Sequence, residues 1–208
     1  MSRPLLLIAT TNLGKFRELG ELLAHLPLRL QSLADFPGAP EVAEDGDTYA
    51  ANARRKAQTI ARWSGRFALA DDSGLEVDAL GGAPGVHSAR YAWENQDSTA
   101  NVAKLLRALS GVRAAERAAR FRCVIVVACP DGATLTAEGA CYGRIIDRPR
   151  GRGGFGYDPV FLYPPARLTF AEMPAAMKHR VSHRARACAQ LRERLMPFLA
   201  AHPAELNA

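Results

Sequence analysis

Four short segments carry residue types that could do chemistry on a charged ligand. Asp71-Asp72-Ser73-Gly74 sets two carboxylates side by side, directly after the apolar run Phe67-Ala68-Leu69-Ala70. Adjacent carboxylates repel, and burying them is costly unless a cation or several donors compensate. Magnesium suits such a pair, because it takes a few carboxylates and fills its other positions with water and phosphate oxygens. One aspartate could ligate the metal while the same or the other one orients water. An exposed acidic turn would leave the same pattern. Thr10-Thr11-Asn12-Leu13-Gly14-Lys15 lies between an apolar run and a helical pattern. Backbone N–H groups at such a junction attract anions, and Lys15 adds a mobile charge. A plain turn capped by Asn12 or Thr11 is the other reading. The spacing is not that of a P-loop.

Gly151-Arg152-Gly153-Gly154-Phe155-Gly156-Tyr157-Asp158-Pro159 contains G-x-G-x-x-G, but a strand-like run follows it, so the dinucleotide-binding context is missing. Its glycines would let a ligand approach the backbone closely, with an aromatic face for a base. A flexible hairpin loop is the alternative. Lys178-His179-Arg180-Val181-Ser182-His183-Arg184 clusters basic groups at an expected helix start. His179 and His183 are four apart, as in helical metal pairs, but the flanking cations disfavour a bound metal. Phosphate and base-edge contacts fit better, and a solvated basic face would also account for the run. Arg144, Arg148, Arg150 and Arg152 could extend a positive surface.

These segments need elements to hold them. The 208 residues, 48% hydrophobic and 23% charged, fit one α/β domain or two lobes sharing a core. Residues 5–10 read as a buried strand rather than a signal peptide, since no small-residue cleavage site follows. Apolar residues Phe16, Leu19, Leu22, Leu23 and Leu26 predict a helix closed by Pro27. Residues 50–63 predict a second helix ending near Ser64-Gly65, and residues 67–70 a buried strand with the acidic segment at its end. A helix over 98–109 has Asp97 or Ser98 as its N-cap. Residues 121–129 form the strongest strand, turning at Pro130-Asp131-Gly132 into a partner over 134–146. A strand over 160–163 stops at Pro164-Pro165, and a last helix spans 182 to about 196, followed by a tail expected to fray. Strands alternating with helices, then a β-rich middle, imply an α/β fold with a mixed sheet.

No apolar run reaches membrane-span length. The four cysteines lack C-x-x-C or zinc spacing, which predicts a reduced, cytoplasmic protein. The net charge of +6 suits an anionic partner: nucleic acid, a membrane surface or a phosphorylated small molecule.

The four segments, with Gly81-Gly82-Ala83-Pro84-Gly85-Val86-His87-Ser88-Ala89-Arg90-Tyr91 between them, resemble the Ham1/RdgB family of noncanonical purine nucleoside-triphosphate pyrophosphatases. The resemblance runs over residues 8–184. It implies hydrolysis of inosine, deoxyinosine and xanthosine triphosphates to the monophosphate and pyrophosphate, with magnesium. It implies an elongated α/β mixed-sheet fold, a single domain over 1–208 with two discontinuous lobes and a central substrate cleft, and a homodimer. Carried over by position, Asp72 matches the catalytic base and, with Glu44, the metal site. Thr10, Thr11, Asn12, Lys15 and Lys56 match the phosphate-binding segment, and Ser73 a substrate contact. Phe155, Gly156, Tyr157, Asp158, Lys178, His183 and Arg184 match the base-recognition set. Selectivity would follow from donors facing the 6-oxo group, left unpaired by adenine. Guanine shares that group, so its rejection rests on the 2-position, to which no residue is assigned.

Two positions depart from the family pattern. Ala51 stands where T-[FY]-x-E-N-A has glutamate, removing a capping-box partner of Thr48, and Met177 replaces a frequent acidic residue. A nucleic-acid-binding module would explain the charge, but interleaved aromatics and a recognised binding motif are missing. A pyrophosphatase of the Maf kind is disfavoured by the order of the motifs. No membrane partner is expected.

Overall fold

The computed structural model describes residues 3–92 and 97–202. Among the described residues, seven strands form one mixed sheet: β1 (Leu5–Ile8), β2 (Arg29–Ser32), β3 (Phe67–Val77), β4 (Ala118–Ala128), β5 (Thr134–Ile145), β6 (Phe161–Tyr163) and β7 (Leu168–Thr169), in the order β2-β1-β3-β4-β5-β6-β7. β1 runs parallel to β2 and β3, whereas β5–β6 and β6–β7 are antiparallel. The helices are α1 (Leu13–Leu23), α2 (Tyr49–Ser64), α3 (Ser98–Ala108), α4 (Ala175–Val181) and α5 (His183–Ala201). The chain divides into two compact units, and each is discontinuous in sequence. The first comprises Met1–Asp72, Cys123–Gly139 and Arg184–Ala208; the second comprises Ser73–Arg122 and Ala140–His183.

In the first unit, Leu6 and Ile8 of β1, Leu69 of β3 and Ile125 and Val127 of β4 pack with Leu19 and Leu23 of α1. Cys188, Leu191, Leu195 and Leu199 of α5 close the same core. That face of α5 follows the i, i+3, i+4 spacing of an amphipathic helix. In the second unit, Phe121, Phe161 and Phe170 form an aromatic cluster packed with Leu75, Val77 and Leu105. All four cysteines are buried, each inside one of these cores. Among the described residues, no helix is long and apolar enough to cross a membrane.

Several predicted ends hold for local reasons. Asn12 caps α1 by accepting from the Lys15 amide at 3.0 Å. Asp97 caps α3, and α2 ends at Gly65 in the left-handed region (φ 64°), where glycine carries no steric penalty. Ala51 does not delay α2: Thr48 Oγ1 accepts from the Ala51 amide at 3.1 Å and the helix begins at Tyr49. Three expectations are corrected. The acidic segment is not at the end of its strand, because β3 continues to Val77 with ten of its eleven residues buried. The strand that ends there is β1, whose Ile8 pairs with Leu69, so β3 has no β1 partner beyond that point. Lys178, His179 and Arg180 close α4 rather than opening a helix, and the extended Ser182 (ψ 158°) separates them from α5. His179 and His183 therefore do not share a helix face. The last helix also runs past Met196 to Ala201 despite Pro197; the frayed tail expected beyond residue 202 lies outside the described residues.

Candidate active site

In the first unit, the end of β1 and the start of α1 bring Lys15 to the acidic segment. Lys15 Nζ lies 3.3 Å from Asp71 Oδ2, and Arg184 from the start of α5 donates to the same oxygen at 2.9 Å. Arg184 is 1% exposed and also pairs with Glu18 of α1. Burial works to raise the Asp71 pKa, but Lys15 and Arg184 outweigh it and hold the carboxyl well below its usual range. Asp71 is therefore an ionised anion held by two cations. Burial likewise opposes the charge on Lys15, yet Asp71, Asp72 and Glu44 raise its pKa overall.

Asp72 differs sharply from its neighbour. Burial pushes its pKa up to about 6; the Asn52 hydrogen bond and Lys15 oppose this, while Glu44 and Asp71 add to it. Its bond is from Asn52 Nδ2 to Oδ2, at 3.0 Å. A carboxylate poised near 6 is matched to accepting a proton near neutral pH. Glu44 sits on the loop preceding α2 and pairs with Lys56 of that helix at 2.5 Å. Thr10 is buried, its Oγ1 accepting from the Asn12 amide at 3.2 Å, whereas Thr11 and Asn12 are exposed at the α1 N-terminus. The first-turn amides of a helix have no intrahelical partner and face any anion placed there.

Glu44 and Asp72 fit a magnesium ion. Asp72 is a buried carboxylate that senses the negative charge of Glu44, and a cation between such groups removes the repulsion. Among the described residues, no cluster of three or more His, Cys, Asp or Glu could hold a metal alone. Two carboxylates with water and phosphate oxygens suit magnesium, which seldom occupies an all-protein cage.

In the second unit, the expected base-recognition residues form a compact arrangement. Lys178 Nζ bonds Asp158 Oδ2 at 2.6 Å and lies 5.1 Å from the Phe155 ring centroid. Asp158 Oδ2 also accepts from the Phe155 amide at 2.9 Å. Lys178 and Asp158 are both buried, and Phe155 is half-buried. Tyr157 is not an open aromatic face: it is buried and donates its hydroxyl to the Ser88 carbonyl at 2.8 Å. The glycines of this loop answer mainly to the protein itself. A Cβ on Gly151 would collide with the Ala171 backbone, and one on Gly154 with the Asp158 carboxylate. Gly156, with φ 61°, has open space on its Cβ side. Ser73 is the one half-buried residue of β3, and His183 is buried with its ring stacked 4.7 Å from Phe121.

Arg184, carried over with the base-recognition set, pairs with Asp71 and Glu18. Asn52 and Glu18 were not picked out by sequence reasoning as part of the site. Only their spacing from Lys56 and Lys15 along α2 and α1, four and three residues, could have pointed to them.

An α/β fold with a buried, oppositely titrating aspartate pair and lysines beside it suits a hydrolase acting on a phosphorylated ligand. The chain belongs to the Ham1 family, which it matches over residues 6–194. It is 52% identical to the dITP/XTP pyrophosphatase of Syntrophobacter fumaroxidans, over 100% of this chain and 90% of that protein. Identity to the dITP/XTP pyrophosphatase of Desulforamulus reducens is 54%, over 88% of this chain and 90% of that one. Among solved structures, a HAM1 protein from Coxiella burnetii superposes with a TM-score of 0.84 at 38% identity, covering 93% of this chain and 99% of that one. The nucleoside-triphosphatase / dITP/XTP pyrophosphatase of Mycobacterium abscessus gives 0.73 at 40% identity, covering 90% and 98%.

Proposed function

We propose that this chain hydrolyses noncanonical purine nucleoside triphosphates (dITP, ITP and XTP) to the monophosphate and pyrophosphate, clearing them from the nucleotide pool. The observation that carries this reading is the split between two adjacent aspartates. Asp71 is neutralised by Lys15 and Arg184, while Asp72 is buried and poised near 6. In this reading Asp72 takes a proton from water as the water oxygen attacks the α-phosphorus; the α–β phosphoanhydride breaks and pyrophosphate departs. Lys15 and Lys56, with Thr10, Thr11 and Asn12, bind the phosphates and offset the charge gathering on the leaving group. Magnesium, held by Glu44 and Asp72, would supply further charge neutralisation on phosphate oxygens. Ser73 contacts the substrate next to Asp72.

Base recognition rests on Phe155, Gly156, Tyr157, Asp158, Lys178, His183 and Arg184, with Tyr157 also bracing the loop through Ser88 and Arg184 also supporting Asp71. The Lys178 ammonium, oriented by Asp158, donates to the 6-oxo group of hypoxanthine or xanthine. The 6-amino group of adenine cannot accept that bond and leaves a buried donor unpaired. The protein works as a cytoplasmic homodimer. Pyrophosphate release from dITP, XTP, dATP and dGTP, with and without magnesium, tests the reading. Turnover of dITP and XTP that requires magnesium and exceeds that of dATP and dGTP is expected; no release from dITP or XTP refutes it.

A further inference from the structure

We propose that Asn52 is a positioning residue of the hydrolytic centre, its carboxamide tying the loop over residues 44–46 to Asp72 and so setting both expected metal-site carboxylates; this rests on the reading above. Asn52 is 1% exposed and lies in the second turn of α2. Its Oδ1 accepts from the Gly46 amide at 2.8 Å. Its Nδ2 donates to the Gly46 carbonyl at 3.3 Å and to Asp72 Oδ2 at 3.0 Å. The partners are one N–H and two oxygens, so the orientation of the amide is fixed by its surroundings. Lys56, four residues on and on the same helix face, holds Glu44 of that loop. One face of α2 thus grips the acidic loop at two points, and one of them continues to the base.

Gly46 belongs to the same device. A Cβ there would stand 2.7 Å from Asn52 Oδ1 and 3.2 Å from Ala51 Cβ. A side chain at position 46 would push the amide off both the loop and Asp72. Aspartate at position 52 would keep the shape, but it would replace two donors with a charge facing the Gly46 carbonyl and Asp72.

The test compares wild type with Asn52→Ala, Asn52→Asp, Gly46→Ala and the double variant Asn52→Ala/Gly46→Ala, all as full chains. Steady-state dITP hydrolysis gives kcat and KM, and electron paramagnetic resonance of Mn2+ without nucleotide gives metal affinity. Groups that orient metal ligands typically govern affinity or activity by roughly 10–100-fold. Losses of that order in kcat and Mn2+ affinity, with KM for dITP little changed, are expected in the single variants. Because Gly46→Ala acts through Asn52, the double variant loses no more than Asn52→Ala alone. Folded variants with wild-type kcat and Mn2+ affinity overturn the proposal. A lowered melting temperature with both quantities retained also overturns it, since Asn52 would then serve only the fold. If both Asn52 variants fail to fold, Gly46→Ala decides on the same two readouts. A wild type inert toward dITP refutes the proposed function, while the Mn2+ measurement still decides the role of Asn52.

Discussion

Replacing Arg184 with methionine keeps most of the side-chain volume and removes the cation between Asp71 and Glu18. Arg184 and Asp71 have side chains 1% and 0% exposed, so the pair lies out of reach of solvent screening. Removing one partner of a buried ion pair costs about 3–5 kcal/mol, mostly from the charge left behind. Here Lys15 remains 3.3 Å from Asp71, and Glu18 keeps 13% of its side chain in water. The loss should therefore fall near the lower end, about 3 kcal/mol. That is a large share of a typical domain stability of about 5–15 kcal/mol. The pH dependence gives the sign. In wild type the Asp71 pKa is depressed, so its contribution is complete above the unfolded-chain pKa of about 3.9 and is lost as pH falls toward the folded-state value. With Arg184 gone, Lys15 alone opposes burial, so the Asp71 pKa moves up from its wild-type position and the penalty is relieved as acid protonates it. Urea unfolding at pH 7 and pH 4 should show a deficit that is large at pH 7 and narrower at pH 4. A deficit under about 1 kcal/mol, the size of a surface pair, or one that grows in acid, would refute the reasoning.

Other perturbations separate chemistry from scaffold. Asp72→Asn should abolish pyrophosphate release while the metal-free protein melts higher at pH 7.5; retained turnover would remove Asp72 as the base. The sign of that stability change follows from a pKa raised to about 6: the wild-type carboxyl is best tolerated below its unfolded value and loosens the fold as pH rises through 6. Tyr157→Phe deletes one buried hydrogen bond to Ser88 and should cost about 1 kcal/mol in urea unfolding, with a silent result denying the brace. Gly154→Ala drives a Cβ into the Asp158 carboxylate and should erode the preference for dITP over dATP; unchanged discrimination would disconnect that pair from base choice.

Where the chain's chemistry is local, the sequence displays it. Asn12, Asp97 and Gly65 mark helix ends because their partners lie within a turn, and the apolar runs of β1 and β4 identify themselves. The strands β2 and β7 escape notice because their pairing supplies what their side chains do not: β2 buries only Ser32, and β7 is two residues long. The continuation of β3 through two aspartates contradicts strand propensity, and tertiary contacts override it. Asp71 and Asp72 are indistinguishable in sequence; burial acts to raise both, and at Asp71 alone Lys15 and Arg184, 56 and 113 positions away, outweigh it. Nor does anything beside Arg184 in sequence foretell its pairing with Glu18.

The interleaving of the two units has a consequence for synthesis on the ribosome. The second unit is complete once residue 183 has emerged, whereas the first still lacks Cys188, Leu191, Leu195 and Leu199 of α5, which close the core begun by residues 1–72. Segments generally fold in the order in which they leave the tunnel. The opening βαβ segment must therefore wait, its α5-facing apolar surface uncovered, until the final helix arrives. Asp71 waits with it, because its arginine is delivered 113 residues later. When residue 183 has just cleared the ribosome, the nascent chain carries a finished second unit and a first unit still open to chaperones.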